Sequence, residues 1–321
     1  MVRVAVLDDW QKVARKVADW TAVEQRAQVT YLEQPIGGQD ATAAALKDFD
    51  ILVAMRERTP FPASLIERLP ALRMIALTGT FSGTLDQEAC ARRGIVVCNT
   101  GSTRSDATTA EITLALMMAA ARQLPAGDRN VRAGRFQEGI APGMVLEGRT
   151  LGVVGLGRIG SRVARLGTAL GMQVLGWSQN LTDEAAQAAG ARRVDKAQLF
   201  AQSDVVSLHL KLSERTRHVV GAAELRAMRP GAILVNSSRG GLVDEAALHA
   251  ALVSGQLGAA GLDVFAQEPT PAGNPLLSLE TVVVAPHVAW VTGGTFERSF
   301  DVAAENVRRL AAGEELLNRV A

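Results

Sequence analysis

Cysteine is scarce in this chain, and the little there is neither pairs nor ligates by spacing. Two cysteines in 321 residues, Cys90 and Cys98, show no CxxC or metal-ligand pattern. No disulfide framework, redox motif or metal site is expected from them. Each lies in an otherwise apolar stretch, which reads as a buried thiol in a reducing compartment. An excess of one charge is also missing. Lys+Arg 34 against Asp+Glu 33 gives a net charge of +1. Nothing global draws such a chain to nucleic acid or to an anionic membrane. Long hydrophobic runs are absent as well. The longest, Leu114 to Ala121, is too short to cross a bilayer. Strand-like residues begin at Val2, so no leader segment is expected, and no repeat or low-complexity stretch stands out. These absences point to a soluble, cytoplasmic globular protein. A length of 321 residues with 48% hydrophobic content suits two domains, each with its own core.

What is present is organised around Leu151-Gly-Val-Val-Gly-Leu-Gly-Arg-Ile-Gly160. Leu151 to Val154 reads as a buried strand. It breaks into Gly155-x-Gly157-x-x-Gly160, and Ile159, Val163, Leu166 and Leu170 then recur on one helical face. Strand, glycine turn and helix together are the context in which this spacing means dinucleotide binding. Gly155 permits the tight turn, Gly157 lets the backbone approach a pyrophosphate, and Gly160 allows helix and strand to pack closely. The backbone of Leu156, Arg158 and Ile159 belongs to the same cradle, at a helix N-terminus that favours anions.

Residues 1 to 100 alternate strand-like and helical stretches. Strands are expected at Val2–Leu7, Val29–Leu32, Ile51–Met55, Met74–Leu77 and Ile95–Cys98. Helical patterns between them include Ala41–Lys47, Pro62–Leu69 and Leu85–Arg93. That alternation predicts an α/β domain with a mainly parallel sheet. Asp8-Asp9-Trp10, not a glycine turn, follows its first strand. A helix over Asp106 to Arg122, capped by Ser105, is apolar nearly all round. Such a helix lies between layers or between subunits, or links two domains. Six further strands are expected: Leu151–Val154, Gln173–Gly176, Val205–Leu210, Ala232–Asn236, Gly258–Leu262 and Thr281–Ala285. The final helical pattern, Phe296 to Ala312, is too short for a domain and is expected to return to the N-terminal half.

Three chemistry-bearing stretches follow the glycine turn, each at or just past a strand's C-terminal end, where open α/β sheets bind ligands. In Asn236-Ser-Ser-Arg239-Gly-Gly, Arg239 offers a planar fork to a carboxylate or carbonyl. In Asp263-Val-Phe-Ala-Gln-Glu268-Pro269, taken alone, Asp263 could be a cap and Glu268 a solvated loop acid. In Ala285-Pro-His287-Val-Ala-Trp290, His287 is one of four histidines and ends an apolar strand. Arginine, glutamate and histidine at comparable strand ends outline hydride chemistry. A nicotinamide cofactor would exchange the hydride. Histidine suits the accompanying proton, and a neighbouring carboxylate favours the imidazolium form and orients the ring.

With these motifs in this order and spacing, nearly the whole chain resembles the D-isomer-specific 2-hydroxyacid dehydrogenase family. The resemblance implies two Rossmann-like α/β domains. A flavodoxin-like substrate domain spans 1–100 plus 289–321, and a dinucleotide-binding domain, 101–288, is inserted into it. It implies an active site in the cleft between domains, a homodimer, and a small 2-keto or 2-hydroxy acid as substrate, with glyoxylate and hydroxypyruvate as representative types. By position, Arg239 binds and polarises the keto acid, His287 is the acid/base and Glu268 supports it. Asp263 contacts the nicotinamide carboxamide, and Thr109 lies near the nicotinamide. His209-Leu210-Lys211, with Thr216 beyond, forms a strand-end loop near the cofactor, although Lys211 stands where proline is common. Ser237 and Ser238 complete the cofactor set.

Two departures bear on specificity. NAD-specific members end the second nucleotide-domain strand with an acid that holds the ribose 2′-hydroxyl. Here the strand runs into Trp177-Ser178-Gln179-Asn180, which has hydrogen-bond donors and no carboxylate. NADP(H) or dual use is therefore favoured over strict NAD, although no arginine follows at once. The family's substrate-carboxylate loop reads close to G-x-G-x-D-x-x-D. This chain has Gly79-Thr80-Phe81-Ser82-Gly83-Thr84-Leu85-Asp86, with Phe81 in place of the second glycine. Gly79, Thr80 and Phe81 remain the expected substrate loop, reshaped by the ring. Arg56 either reads a second acidic group or belongs to a solvated charge run, and Trp290 either closes the pocket or packs in a core. Formate dehydrogenases share the fold but carry glutamine where Glu268 stands. An NAD(H)-sensing binding protein on the same scaffold is the alternative to an enzyme.

Overall fold

Two parallel sheets account for two compact units; the computed structural model describes residues 1–101 and 105–320. Met1–Arg104 with Val291–Ala321 form the first unit, and Ser105–Trp290 the second. These borders fall slightly later than 100/101 and 288/289, because the helix beginning at Ser105 packs on the second sheet.

The first unit holds β1 (Val2–Val6), β2 (Ala27–Tyr31), β3 (Ile51–Ala54), β4 (Met74–Leu77) and β5 (Val96–Asn99). All are parallel, in the order β2-β1-β3-β4-β5. That order is flavodoxin-like. Every residue of β3 and β4 is buried, as in a sheet covered on both faces. The helix Gly293–Ala312 completes this unit, burying Phe296, Phe300, Ala303 and Val307. Beyond it, a short segment lies antiparallel beside β5: the Val320 N–H donates to the Val97 carbonyl at 2.8 Å, and the Asn99 N–H to Asn318 at 3.1 Å. The Asn306 side chain clamps Leu317 from both sides. Such a segment blunts a sheet edge. It has no local pattern and was not foreseen. Cys90 and Cys98 are buried free thiols, and burial pushes both up to about 11, so neither is reactive at neutral pH.

The second unit holds seven parallel strands: β6 (Thr150–Val154), β7 (Gln173–Trp177), β8 (Arg192–Arg193), β9 (Val205–Leu208), β10 (Ala232–Asn236), β11 (Leu257–Leu262) and β12 (Val282–Val284). Their order is β12-β11-β10-β9-β6-β7-β8. This is the doubly wound dinucleotide-binding order with one strand added beyond the usual six. The strand missed from sequence is β8, two exposed arginines with no apolar run to mark them. Successive residues of β6 face opposite cores: Leu151 and Val153 pack toward one, Val154 toward the other. The Ser105–Ala121 helix lies on β10 and β11, and Leu116 is so close to Gly261 that a Cβ there would meet it at 3.0 Å. It is not buried all round. Thr109, Thr113, Leu116, Met117 and Ala120 face inward, while Met118 is 42% exposed. Ser105 is the first described residue of this helix, and the residues just before it lie outside the described ones. No helix among the described residues is long and apolar enough to cross a membrane.

Candidate active site

The C-terminal ends of β6, β7, β9, β10, β11 and β12 carry nearly all the residues singled out in the nucleotide-binding unit. At the end of β6, Gly155 has φ +98, and a Cβ there would meet the His209 carbonyl at 2.7 Å. A Cβ on Gly160 would collide with the Gly155 carbonyl. Gly157 has open space and begins the helix Arg158–Ala169 without any side-chain cap. The first N–H groups of that helix therefore remain for a ligand. Leu156 packs over Gly176, where a side chain would overlap it. Arg158 pairs with Asp106 at 2.8 Å and Arg162 reaches the same carboxylate at 3.4 Å. Asp106 was not singled out from sequence, since nothing local ties it to a turn some fifty residues away.

Around this turn several polar residues serve the scaffold. Thr216 closes its own loop by donating to the Lys211 carbonyl at 2.6 Å. The Ser237 and Thr113 hydroxyls bond at 2.6 Å, Ser238 donates to the Leu208 carbonyl, and Thr109 to the Ser105 carbonyl. Asn236 shapes the turn carrying Arg239, accepting from the Ser238 N–H and donating to the Arg239 carbonyl. Lys211 is exposed. After β7, Ser178 and Gln179 meet no acid before Asp183, which is paired with Arg193 at 3.5 Å. Arg193 lies opposite Gly176 in β8, and Lys196 sits 5.9 Å from the Trp177 ring.

His209 bonds through Nε2 to Ser207 at 2.8 Å, and its Nδ1 is buried without a partner among the described residues. Burial holds the ring neutral, with its pKa pushed down to about 3. Unfolding restores an ordinary imidazole. Between roughly pH 6.5 and that lower value the unfolded chain binds the extra proton, so stability falls as pH falls, by up to about 1.4 kcal/mol per unit. Urea unfolding at pH 7 and pH 5 should show His209→Asn losing less stability than wild type over that interval. Parallel losses would refute the account.

On β11 and β12 the chemistry gathers. His287 Nδ1 lies 2.6 Å from Glu268 Oε2, with side chains 25% and 34% exposed. Glu268 Oε1 accepts from the Phe265 N–H at 2.8 Å. Burial pushes this carboxyl up, but the His287 bond and charge, the Phe265 N–H and the Arg239 charge outweigh it. Its net position is below the usual carboxylate range, so it is ionised at neutral pH. Arg239, Glu268 and His287 are thus brought together. The Arg239 Nη1 also donates to the Ser238 carbonyl at 2.7 Å. His287 has φ +54, uncommon outside glycine and costly unless the surroundings impose it. Asp263 imposes it. Its two carboxylate oxygens accept from Val288 and Ala289, and its carbonyl accepts from the His287 N–H at 2.8 Å. Asp263 is fully buried, so in this conformation the carboxylate serves the His287 turn and does not face an open groove. Trp290 is buried, 6% exposed.

In the first unit, Arg56 lies two residues past β3 with φ +44, and its side chain crosses Gly79 so closely that a Cβ there would meet Nε at 2.8 Å. Thr80 is exposed and Phe81 is 61% exposed. Asn99 steadies the loop by donating to the Thr80 carbonyl at 3.1 Å. Among the described residues no group of three or more His, Cys, Asp or Glu side chains could hold a metal.

A doubly wound nucleotide sheet with a hydrogen-bonded histidine–glutamate pair at its strand ends belongs with the nicotinamide-dependent oxidoreductases. Within that class the chain is a member of the D-isomer-specific 2-hydroxyacid dehydrogenase family, whose NAD-binding domain matches residues 114–289. Glyoxylate reductase from Korarchaeum cryptofilum is 42% identical over 273 residues, covering 84% of this chain and 82% of that protein. D-3-phosphoglycerate dehydrogenase from Methanocaldococcus jannaschii is 35% identical over 316 residues, covering 98% of this chain but 58% of that protein. The chain therefore spans little more than half of that relative's length. The crystal structure of a phosphoglycerate oxidoreductase from Vibrio cholerae matches with a TM-score of 0.90 at 38% identity, covering 98% of this chain and 100% of that one. The chain is an oxidoreductase of 2-hydroxy acids that uses a nicotinamide cofactor.

Proposed function

We propose that the enzyme interconverts a small, unphosphorylated 2-keto acid of the glyoxylate or hydroxypyruvate type and its D-2-hydroxy acid, using NADP(H) or both cofactors, as a cytoplasmic homodimer. The observation that carries it is the 2.6 Å His287–Glu268 pair with Arg239 acting on the same carboxylate. The glycine cradle fits a dinucleotide, because Gly157 leaves open space before an uncapped helix, while Gly155 and Gly160 let strand, turn and helix pack too closely for any side chain. Gly155 to Gly160 would hold the pyrophosphate. When bound, the cofactor supplies or accepts the hydride. Arg239 binds the substrate carboxylate and polarises the keto oxygen. Glu268 holds His287 by Nδ1, which leaves Nε2 to pass a proton to that oxygen in reduction and to recover it in oxidation. Thr80 and Phe81 line the substrate loop, and Arg56 sets the response to a second acidic group.

The cofactor choice rests on Ser178 and Gln179, which follow β7 without a carboxylate; the nearby Arg193 and Lys196 are paired with Asp183 and Glu224. The dimer rests on an apolar surface in one stretch of the nucleotide-binding unit: Met118, Leu124, Val131, Phe136 and Val145 are 42–70% exposed. Patches of this kind mark association surfaces.

A panel of glyoxylate, hydroxypyruvate and a phosphorylated 2-keto acid, each with NADH and NADPH, tests the assignment. Higher kcat/KM with the unphosphorylated acids, and NADPH at least equal to NADH, is expected. A strong NADH preference overturns the cofactor choice. Tight cofactor binding with no turnover on any acid overturns the enzyme reading in favour of a sensor. Sedimentation of the same samples should give a dimer's mass; a monomer removes that part of the proposal.

A further inference from the structure

Glu245 lies at the start of the helix Glu245–Val253, outside the three residues assigned to the chemistry. Its carboxylate is not spent on that helix. Asp244 caps it, accepting from the Ala246 and Ala247 N–H groups. Glu245 Oε1 instead accepts from the backbone N–H of Ala266 at 2.6 Å, and Oε2 accepts from the Asn274 side-chain amide at 3.3 Å. One carboxylate thus ties the beginning and the end of the 266–274 loop, which carries Glu268. Neighbouring N–H groups on this loop are taken by two acids: Phe265 donates to Glu268 and Ala266 to Glu245.

The same peptide is pressed from the Arg239 side. A Cβ on Gly240 would overlap the Phe265 carbonyl and the Ala266 nitrogen, so only glycine lets the two backbones touch. The segment from Arg239 to Glu245 therefore presents the substrate-binding arginine at one end. At the other it fastens the loop bearing the histidine's partner. A loop of this composition, with Pro269, Pro271 and Gly273 and exposed residues at 266–269, has little packing of its own to hold Glu268.

We infer that Glu245 is a positioning residue for the acid–base pair: by closing the 266–274 loop it sets where Glu268 meets His287 Nδ1. This inference rests on the proposed acid/base role of His287. The charged groups bearing on that pair are Asp263 and Arg239, and both are anchored independently of Glu245. Misplacing Glu268 costs catalysis more than binding, since small displacements at a reacting centre are felt mainly in the barrier.

Steady-state kinetics of Glu245→Ala, Glu245→Asp and Glu245→Gln, alongside His287→Ala, provide the test, with glyoxylate or hydroxypyruvate as substrate. Glu245→Asp keeps the charge in the helix's first turn but shortens the reach, so it reports even if the alanine variant fails to fold. Alanine and aspartate should lower kcat about 10-fold, with KM for keto acid and cofactor little changed. They should also move the alkaline limb of the reductive pH profile to lower pH, because the carboxylate beside His287 is displaced. Glutamine keeps an acceptor for the Ala266 N–H but not for the Asn274 amide, whose own oxygen is held by the Leu276 N–H, so it should fall between wild type and alanine. A purely structural residue would lower thermal stability without moving that limb. Wild-type kcat and pH profile in Glu245→Asp, while His287→Ala is inactive, would overturn the inference alone. Wild-type turnover in His287→Ala would instead overturn the acid/base reading beneath it.

Discussion

Replacing His287 with alanine should lower kcat for 2-keto acid reduction by about 10²–10⁴-fold, the range for loss of a positioned proton donor. The ring is held by Nδ1 against an ionised glutamate, so Nε2 is the nitrogen left to meet substrate. Cofactor affinity should change little, because the glycine turn proposed to hold the pyrophosphate follows β6 and the histidine follows β12. The backbone at position 287 is left-handed, a conformation asparagine tolerates better than most residues. His287→Asn therefore serves as a folded control and should be as inactive as the alanine variant. Rapid-mixing measurement of cofactor oxidation in a single turnover separates the chemical step from release. A chemical step within a few-fold of wild type in either variant would refute the assignment.

Arg239→Lys should lower kcat/KM for the keto acid by about 10–100-fold, equivalent to losing a charge-assisted hydrogen bond. Lysine preserves the charge, so an electrostatic role alone would survive the change. It lacks the planar fork, however, and one arm of that fork already pins the guanidinium to the Ser238 carbonyl. A single ammonium cannot hold that carbonyl and still face both a carboxylate and a ketone. The melting temperature should move little, because the turn itself is shaped by Asn236. Unchanged kcat/KM would show that Arg239 does not contact the substrate in the productive complex.

The features legible without a structure were those decided within a few residues of chain. The glycine turn is one: strand, Gly155-x-Gly157-x-x-Gly160 and helix follow one another, and Gly155 and Gly160 meet steric limits set by the neighbouring strand end and by the turn itself. Eleven of the twelve strands among the described residues were marked by short apolar runs between helical patterns, and β8 escaped because two exposed arginines carry no such mark. Arg239, Glu268 and His287 were visible as unusual residues at strand ends, since in a parallel sheet all those ends lie on one side.

What each of these residues touches belonged to the tertiary structure. Asp263 proved to be the anchor of the His287 turn, and Thr216 the closure of its own loop. Asp106 meets Arg158 across 52 positions of sequence, and Glu245 meets Ala266 across 21. The returning segment Asn318–Val320 finds β5 only once the sheet exists. Local sterics and hydrophobic periodicity act between near neighbours, so the sequence by itself determined the elements, the glycine turn and the three candidate side chains at strand ends. A hydrogen bond between distant residues depends on strand order and register, so only the folded sheets decided which carboxylate orients the histidine and which one holds that carboxylate in place.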